Sequence, residues 1–425
     1  MSLGKTRGRP ADAPPPPLDL WRVRDFVVLW WAQVTSRVGT QISQFVLPLL
    51  VLDATGSAGT AGLITALEQV PYVLLAIPAG ALVERWNRRV VLVAGNFLRA
   101  GMFGLLAGYL LAGGTSIPAI AATVFCSGVV YVFFDVANST VFPRILPAHE
   151  LARATGWVEG TTALTEVLGP ALGGALVGLG THALQGAGYA FGVDALTYLV
   201  AGLGVLCVRT SLSPPPAAVR TPLGASIRAG VGHLLRDGRL RRLALANFVN
   251  IVALGTVWLS FMALMKSEFH LDSTHTGLLL ALGAASGILG SFCSGILDRR
   301  LGPYGVMLLA GAGWAAGELI IAAAPAPWVA VLGLALALWV APPYFSTLYA
   351  YRMAIIPQEM HARINSLYRL LAQAGLPVGL SVGGLLLDTV GARAFLLLVA
   401  AVFLATAVTV QLRAPRAPAP AADPP

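Results

Sequence analysis

Charge is scarce in this sequence. Asp, Glu, Lys and Arg make up 11% of its 425 residues, less than half of the roughly one-quarter found in soluble domains. Cysteine is scarcer: Cys126, Cys207 and Cys293 are the only three. None has the CxxC or Cys/His spacing of a redox or metal site, and all three fall in apolar runs, where they read as small buried hydrophobes. The sequence holds no nucleophile-base-acid set, no metal-ligand spacing and no glycine-rich phosphate loop followed by Lys and Ser or Thr. An enzyme, a resident metal or other cofactor, and a pump driven by ATP within this chain are therefore not expected. Also missing are the short alternating strands of a membrane barrel. The opening segment is polar and proline-rich, and the first apolar run is long enough to span, so no cleavable signal peptide is read there.

What remains is apolar material in long runs. Hydrophobic residues make up 56% of the chain and the mean hydropathy is +0.76. Twelve runs have lengths near the roughly 20 residues that a helix needs to cross hydrocarbon. They begin near Phe26, Ala61, Val90, Pro118, Ala154, Gly188, Leu243, His275, Tyr304, Trp328, Ile364 and Phe395. Each must satisfy its own backbone in lipid, which requires helices. The expected fold is an all-α membrane protein of twelve transmembrane helices.

The net charge of +9 is explained by placement. Of the 28 Lys and Arg, Lys266 and Arg393 fall in loops on one side, Arg37, Arg99 and Arg369 fall within spans, and the rest lie with the chain ends. This asymmetry puts both termini in the cytoplasm and argues against nucleic acid as partner. Residues 1–20, with Pro14 to Pro17, and 413–425 hold too little apolar material to pack and are expected to be disordered tails. The arginine-rich segment 209–242, with Pro214 to Pro216, links a half at 21–208 to a half at 243–412. A shift of 210 residues places Pro147 on Pro357, Arg153 on Arg363, Gly169 on Gly379, Gly173 on Gly383 and Gly174 on Gly384 without a gap. The fifth and eleventh spans are duplicates, so the halves are pseudo-symmetric, an architecture of secondary transporters.

The loop after the second span reads Gly80-Ala81-Leu82-Val83-Glu84-Arg85-Trp86-Asn87-Arg88-Arg89. It resembles the G-x-L-a-D-R-x-G-R-R signature of the major facilitator superfamily, with Glu84 for the usual Asp and Asn87 for the usual Gly; Asn tolerates the left-handed conformation Gly would supply. The resemblance implies that Gly80, Glu84, Arg85, Arg88 and Arg89 form a loop that exchanges salt-bridge partners as the halves rock. The second-half equivalent, Gly295 to Gly302, is one residue short and reads as a degraded copy. The fifth span carries Gly156 and then Gly169-Pro170-Ala171-Leu172-Gly173-Gly174, similar to the superfamily's antiporter motif, with Thr165 at an expected Gly that Gly375 restores in the duplicate. That resemblance implies export; a tightly packed helix interface with no bearing on direction is the other reading. The segment Arg144 to Gly156 and the run Ser36-Arg37-Val38-Gly39 look like the drug:proton antiporter subgroup that includes the enterobactin exporter and macrolide efflux proteins.

Ionisable groups at a helix centre in lipid cost on the order of 2.5 to 3.5 kcal/mol on insertion scales. Six acids fall within the spans, Glu68, Asp135, Glu159, Glu166, Asp194 and Glu318, against Arg37, Arg99 and Arg369, so three carboxylates lack a basic partner and suit proton coupling. Arg37 and Glu166 lie about 16 and 18 Å into their spans, counted from the cytoplasmic side at about 1.5 Å per residue. They are expected to pair or to share a substrate, with Asp135 and Glu159 as an acidic pair nearer the cytoplasm. Glu159 and Arg369 also suit side chains that snorkel to water from helix ends; Glu68, Arg99, Asp194 and Glu318 read as structural. The resemblance makes spans 1, 4, 7 and 10 line the cavity. It carries over to Gln33, Arg37, Gln41 and Gln44, to Tyr131, Asp135 and Asn138, to Asn247, Asn250 and Trp258, and to Tyr344 and Tyr349. Pro342-Pro343 is expected to interrupt the tenth span, and Trp21, Trp30, Trp86 and Trp328 to anchor at the membrane surface. The function expected is proton-coupled efflux of small amphipathic molecules, drug or siderophore in type, by a monomer in the bacterial inner membrane. A lipid or lysolipid flippase on the same helices is the alternative.

Overall fold

The computed structural model describes residues 18–213 and 231–411. The sequence-predicted tails, apart from residues 18–20, and the middle of the linker lie outside the described residues. All regular structure that is described is helical. The first half contains α1 (Arg24–Thr55), α2 (Ala58–Val83), α3 (Arg88–Leu111), α4 (Ile117–Asn138), α5 (Leu151–Gly178) and α6 (Ala183–Leu206). The second opens with α7 (Gly238–Ser267). The run Ser273–Ala323 is 51 residues long, more than twice a single crossing, and bends at Gly302, where φ is 65° and ψ is 174°; only glycine adopts such a conformation readily. The bend gives α8 (273–301) and α9 (303–323). The chain closes with α10 (Pro327–Ile355), α11 (His361–Val390) and α12 (Ala392–Gln411).

Ten of these elements, counting the bent run once, are long and apolar enough to cross a membrane. The bent run supplies an eleventh span. The twelfth, α5, has the length at 28 residues but is diluted by Thr161, Thr162, Thr165 and Glu166. Helix ends are cut by local chemistry. Gly56 ends α1 at φ 68°; Ser57 caps α2 by accepting from the Thr60 N–H, and Asp237 caps α7 by accepting from the Arg239 and Leu240 N–H groups, as side-chain acceptors at N-caps do.

Within the first half α1 packs on α5 and α6, and within the second α7 packs on α11 and α12. The halves meet along two seams, α2 with α11 and α5 with α8. The aromatic cores are separate: Phe103 stacks on Phe191 and Tyr198 in one half, and Trp314 packs on Tyr344 and Phe403 in the other. Leucines such as Leu105 and Leu179, more than two-thirds exposed, point outward from the bundle, where the solvent is lipid rather than water.

Several expectations are corrected. Pro342 and Pro343 do not interrupt α10, which stays helical from Pro327 to Ile355; packed neighbours make such prolines tolerable. Asn87 is extended at φ −70° and caps α3 through its side chain, so it replaces Gly by capping and not by left-handed geometry. The second-half loop is no loop but the bend at Gly302. Cys126 and Cys207 are exposed and Cys293 is half-buried; their apolar surroundings face outward. Trp30 is buried at 8% exposure, stacked edge-on against Trp21 and Trp31, so it is a core residue and not an anchor.

Candidate transport cavity and its gates

A polar cavity of about 220 Å³ opens between the halves. α1 contributes Gln33, Ser36, Arg37, Thr40, Gln41 and Gln44 to it, α4 contributes Tyr131, Phe134, Asp135 and Asn138, and α5 contributes Thr162, Thr165 and Glu166. Spacings of three and four residues place each set on one helix face. The helices begin at Arg24 and Leu151, so Arg37 and Glu166 stand about 20 and 22 Å along them at about 1.5 Å per residue, at one level, as the sequence predicted. They share the cavity without forming an ion pair among the described contacts.

Sequence reasoning missed several lining residues: Glu68 and Gln69 of α2, Arg99 of α3 and Gln373 of α11. Arg99 is 4% exposed; it donates to Ser127 at 3.1 Å and stands over the Tyr198 ring at 4.2 Å. Behind it, Asp194 is fully buried and accepts from Ser43 of α1. At the level of α1's first turns, Gln33 donates to Asn138 at 2.7 Å.

The bond that crosses this cavity is the main correction to the sequence reading. Arg369 of α11 stays in reach of water but does not end there alone. It pairs with Asp135 of α4 at 2.8 Å and donates to Tyr72 of α2 at 2.8 Å, and Tyr72 in turn donates to Asp135 at 2.9 Å. One arginine of the second half thus holds two helices of the first. Asp135 consequently has no acidic partner in Glu159, which is exposed on α5 and away from the cavity lining.

The two faces of the bundle differ. On the face remote from the chain ends, Lys266 binds Asp53 at 2.7 and 2.9 Å, joining α7 to α1. Asp388, at the end of α11, accepts from Ser57 Oγ at 2.6 Å and from the Ala58 and Gly59 N–H groups at 2.7 and 2.9 Å. It caps α2 from the opposite half. The glycine pairs lie here too. A Cβ on Gly173 would stand 2.8 Å from Phe45 of its own half, whereas one on Gly174 would stand 2.7 Å from the Ser273 carbonyl across the seam. Gly383 and Gly384 repeat the division, the first against Thr256 and the second 2.5 Å from the Ala58 carbonyl. Gly169 packs against Gln41, and a Cβ on Gly277 of α8 would run into the Pro170 carbonyl. The antiporter-type motif therefore seals the far face.

The face bearing the chain ends is looser. Gly80, Gly156 and Gly295 have open space where a Cβ would point, and Glu84 and Arg85 are exposed with no ion pair among the described residues. Arg88 is buried at 5% exposure and reaches Thr140 at 3.4 Å, and Arg89 donates to the Leu206 carbonyl. The loop is tied to its own half. Asn250 and Tyr344 are not on the cavity lining: Asn250 donates to Tyr344 at 3.2 Å and accepts from Thr406 at 2.7 Å inside the second half. Among the described residues no group of three or more His, Cys, Asp or Glu could hold a metal ion.

Twelve helices in two matched halves, a polar cavity at mid-span between them and a seal on one face define a transporter of the major facilitator superfamily, working by alternating access. The chain belongs to the family described as transmembrane secretion effector, whose model, MFS_3, matches residues 17–424. It is 25% identical to the multidrug efflux pump Tap of Mycolicibacterium fortuitum over 385 residues, 87% of this chain and 90% of that one. It is 20% identical to macrolide efflux protein A of Streptococcus pyogenes, over 89% and 93% of the two chains. A bacterial homologue of the iron transporter ferroportin in its inward-facing state superposes with a TM-score of 0.72 at 19% identity, covering 92% of this chain and 98% of that one. The nucleoside transporter NupG superposes with a TM-score of 0.74 at 12% identity, over 93% and 99%. At these identities the structures share the fold alone.

Proposed function

We propose that this protein is a proton-coupled exporter of small amphipathic organic molecules, acting as a monomer in a bacterial inner membrane. The observation that carries the reading is an acid in the last turn of α4, Asp135, tied across the cavity to Arg369 while the far face is sealed. Basic residues gather with the chain ends, which supports a cytoplasmic position for that face and, with it, an inward-facing conformer. Export is supported by the efflux functions named for its relatives Tap and macrolide efflux protein A and by the antiporter-type motif at the seal.

The chemistry follows from the pairings. Arg369 and Tyr72 hold the Asp135 carboxylate. A cationic or hydrogen-bonding substrate entering from the cytoplasm competes with Arg369 for that carboxylate, frees α11 and lets the halves rock. On the outer side a proton takes the carboxylate and the substrate leaves; return inward restores the ion pair and releases the proton. Arg37, Gln41, Asn138 and Glu166 contact the substrate, and Glu166 with its neighbour Arg37 is the second proton site. The cavity of about 220 Å³ falls below the roughly 300–1,000 Å³ of drug-sized pockets, so a drug- or siderophore-sized cargo must part the Arg369 bridge to enter. Gly80, Glu84, Arg85, Arg88 and Arg89 engage the other half once the cytoplasmic face closes.

Everted membrane vesicles test this, with amphipathic dyes and candidate siderophores as cargo and the parent compared with Asp135→Asn and Glu166→Gln. Substrate-dependent proton movement abolished by either change is expected. Unimpaired transport in both variants overturns the assignment of the site, and movement of labelled lysolipid in place of every dye identifies a flippase.

A further inference from the structure

A second cleft, outside the transport path, lies on the outer surface of the second half, about 370 Å³ between α7, α9 and α12. Its mouth is at the face bearing the chain ends and is formed by Arg239 and Arg242. Its walls run into the membrane along Leu243, Leu245, Ala246 and Val249 of α7 and Ala405 and Val410 of α12, with Tyr304 closing one side. It shares no lining residue with the central cavity. Arg239, Arg242, Ala246 and Val249 recur at intervals of three and four, so one face of α7 is cationic at its membrane edge and apolar above.

Both arginines are exposed, and neither has an ion-pair partner among the described residues. The nearest acid in sequence, Asp237, is spent on capping, with its Oδ1 2.7 Å from the Arg239 N–H and 3.1 Å from the Leu240 N–H. Residues 214–230 supply no Asp or Glu either. The hydroxyls near the cleft are engaged elsewhere: Tyr304 bonds to Tyr351 at 3.1 Å and Thr406 donates to Asn250 at 2.7 Å. Two like charges three residues apart repel one another, and here they flank an apolar slot. A free inorganic anion would meet the charges and leave the slot unfilled; an uncharged lipid would fill the slot and leave the charges unanswered.

We propose that this cleft binds one acidic phospholipid of the leaflet on that face, its phosphate between Arg239 and Arg242 and an acyl chain along Ala246, Val249 and Ala405. Basic clefts between membrane helices at the cytoplasmic surface suit such headgroups. Because α7 and α12 carry the wall and the second half moves as a body, the lipid rides with that half and keeps its arginines at the membrane surface through the cycle.

Native mass spectrometry of the purified full-length protein, exposed to mixed micelles of phosphatidylglycerol and phosphatidylcholine, reads the site directly. One phosphatidylglycerol is expected to be retained in preference to phosphatidylcholine. The double variant Arg239→Gln with Arg242→Gln is expected to bind it about 30-fold more weakly, from roughly 1 kcal/mol per basic side chain at about 1.4 kcal/mol per tenfold. Ala405→Trp, which fills the slot and keeps the charges, should also displace it. Equal retention of the two lipids, or unchanged retention in the arginine variant, overturns the proposal. Displacement of the lipid by millimolar inorganic phosphate, with Ala405→Trp without effect, would assign the site to a free anion and overturn it as well.

Discussion

The Asp135–Arg369 pair is exposed to different degrees at its two ends, 21% and 60% by side chain. A pair this wet contributes at most about 1 kcal/mol to stability. Its importance is therefore to the transport cycle and not to the fold. Arg369→Gln and Asp135→Asn are each expected to slow efflux about tenfold while shifting the thermal midpoint by no more than about 2 °C. The double variant should lose little beyond either single one, because the two side chains act as a unit; initial rates in vesicles and a melting curve check both statements. Asp388 makes a second prediction. Asp388→Asn keeps the side chain's size but removes one of its two acceptor oxygens and the charge that favours a helix N-terminus by about 0.3–1 kcal/mol, so far-face opening should rise at least about two- to fivefold, read as modification of a cysteine introduced beneath that seam.

At the scale of helices, the seams are the sensitive parts. Gly384→Val and Gly174→Val drive side-chain atoms into backbone carbonyls across the seam, and overpacking of this kind costs roughly 1–3 kcal/mol. Both should lower the melting temperature and stop transport. Gly80→Val meets open space in this conformer, so its melting temperature should match the parent's while its transport falls, because the loop is to pack against the other half once the face that bears it closes. Much of this scale was legible in the sequence: the spans begin within five residues of where they were read, and the 210-residue shift located both glycine pairs. The partners were not legible. Periodicity shows that Arg369 and Asp135 each lie on a helix face, but lipid and protein interior are both apolar, so the pattern does not say which face meets which helix. The family resemblance, which names the lining spans but not their faces, put Asn250 and Tyr344 on the cavity when they bond to each other within the second half. Asp388 left one trace, since the shift that aligns the glycines sets it opposite Gly178.

For the whole molecule, topology is the claim to test. Cys207 is exposed at the end of α6 on the face bearing the chain ends, and Cys126 is exposed about 14 Å along α4 from the far face, at about 1.5 Å per residue. A membrane-impermeant maleimide should therefore label Cys207 in everted vesicles and spare it in intact cells. Cys126, facing lipid, should stay unlabelled in both. Labelling of Cys207 from outside the cell would reverse the orientation and with it the direction of transport.

The two seams of the far face are fastened by unlike means. Where the first half ends α5 with Gly178 against Thr274, the second ends α11 with a carboxylate on the opposite helix start. Both edges pack glycines against backbone, and the first adds a neutral bond from the Thr274 hydroxyl to the Gly174 carbonyl, but only the second adds a charge, like a door with a hinge on one side and a magnet on the other. Salt in the surrounding fluid screens an exposed charge within about 8–10 Å and leaves packed glycines untouched. The door should therefore swing from the charged edge, and ionic strength on that side of the membrane should set how often it does.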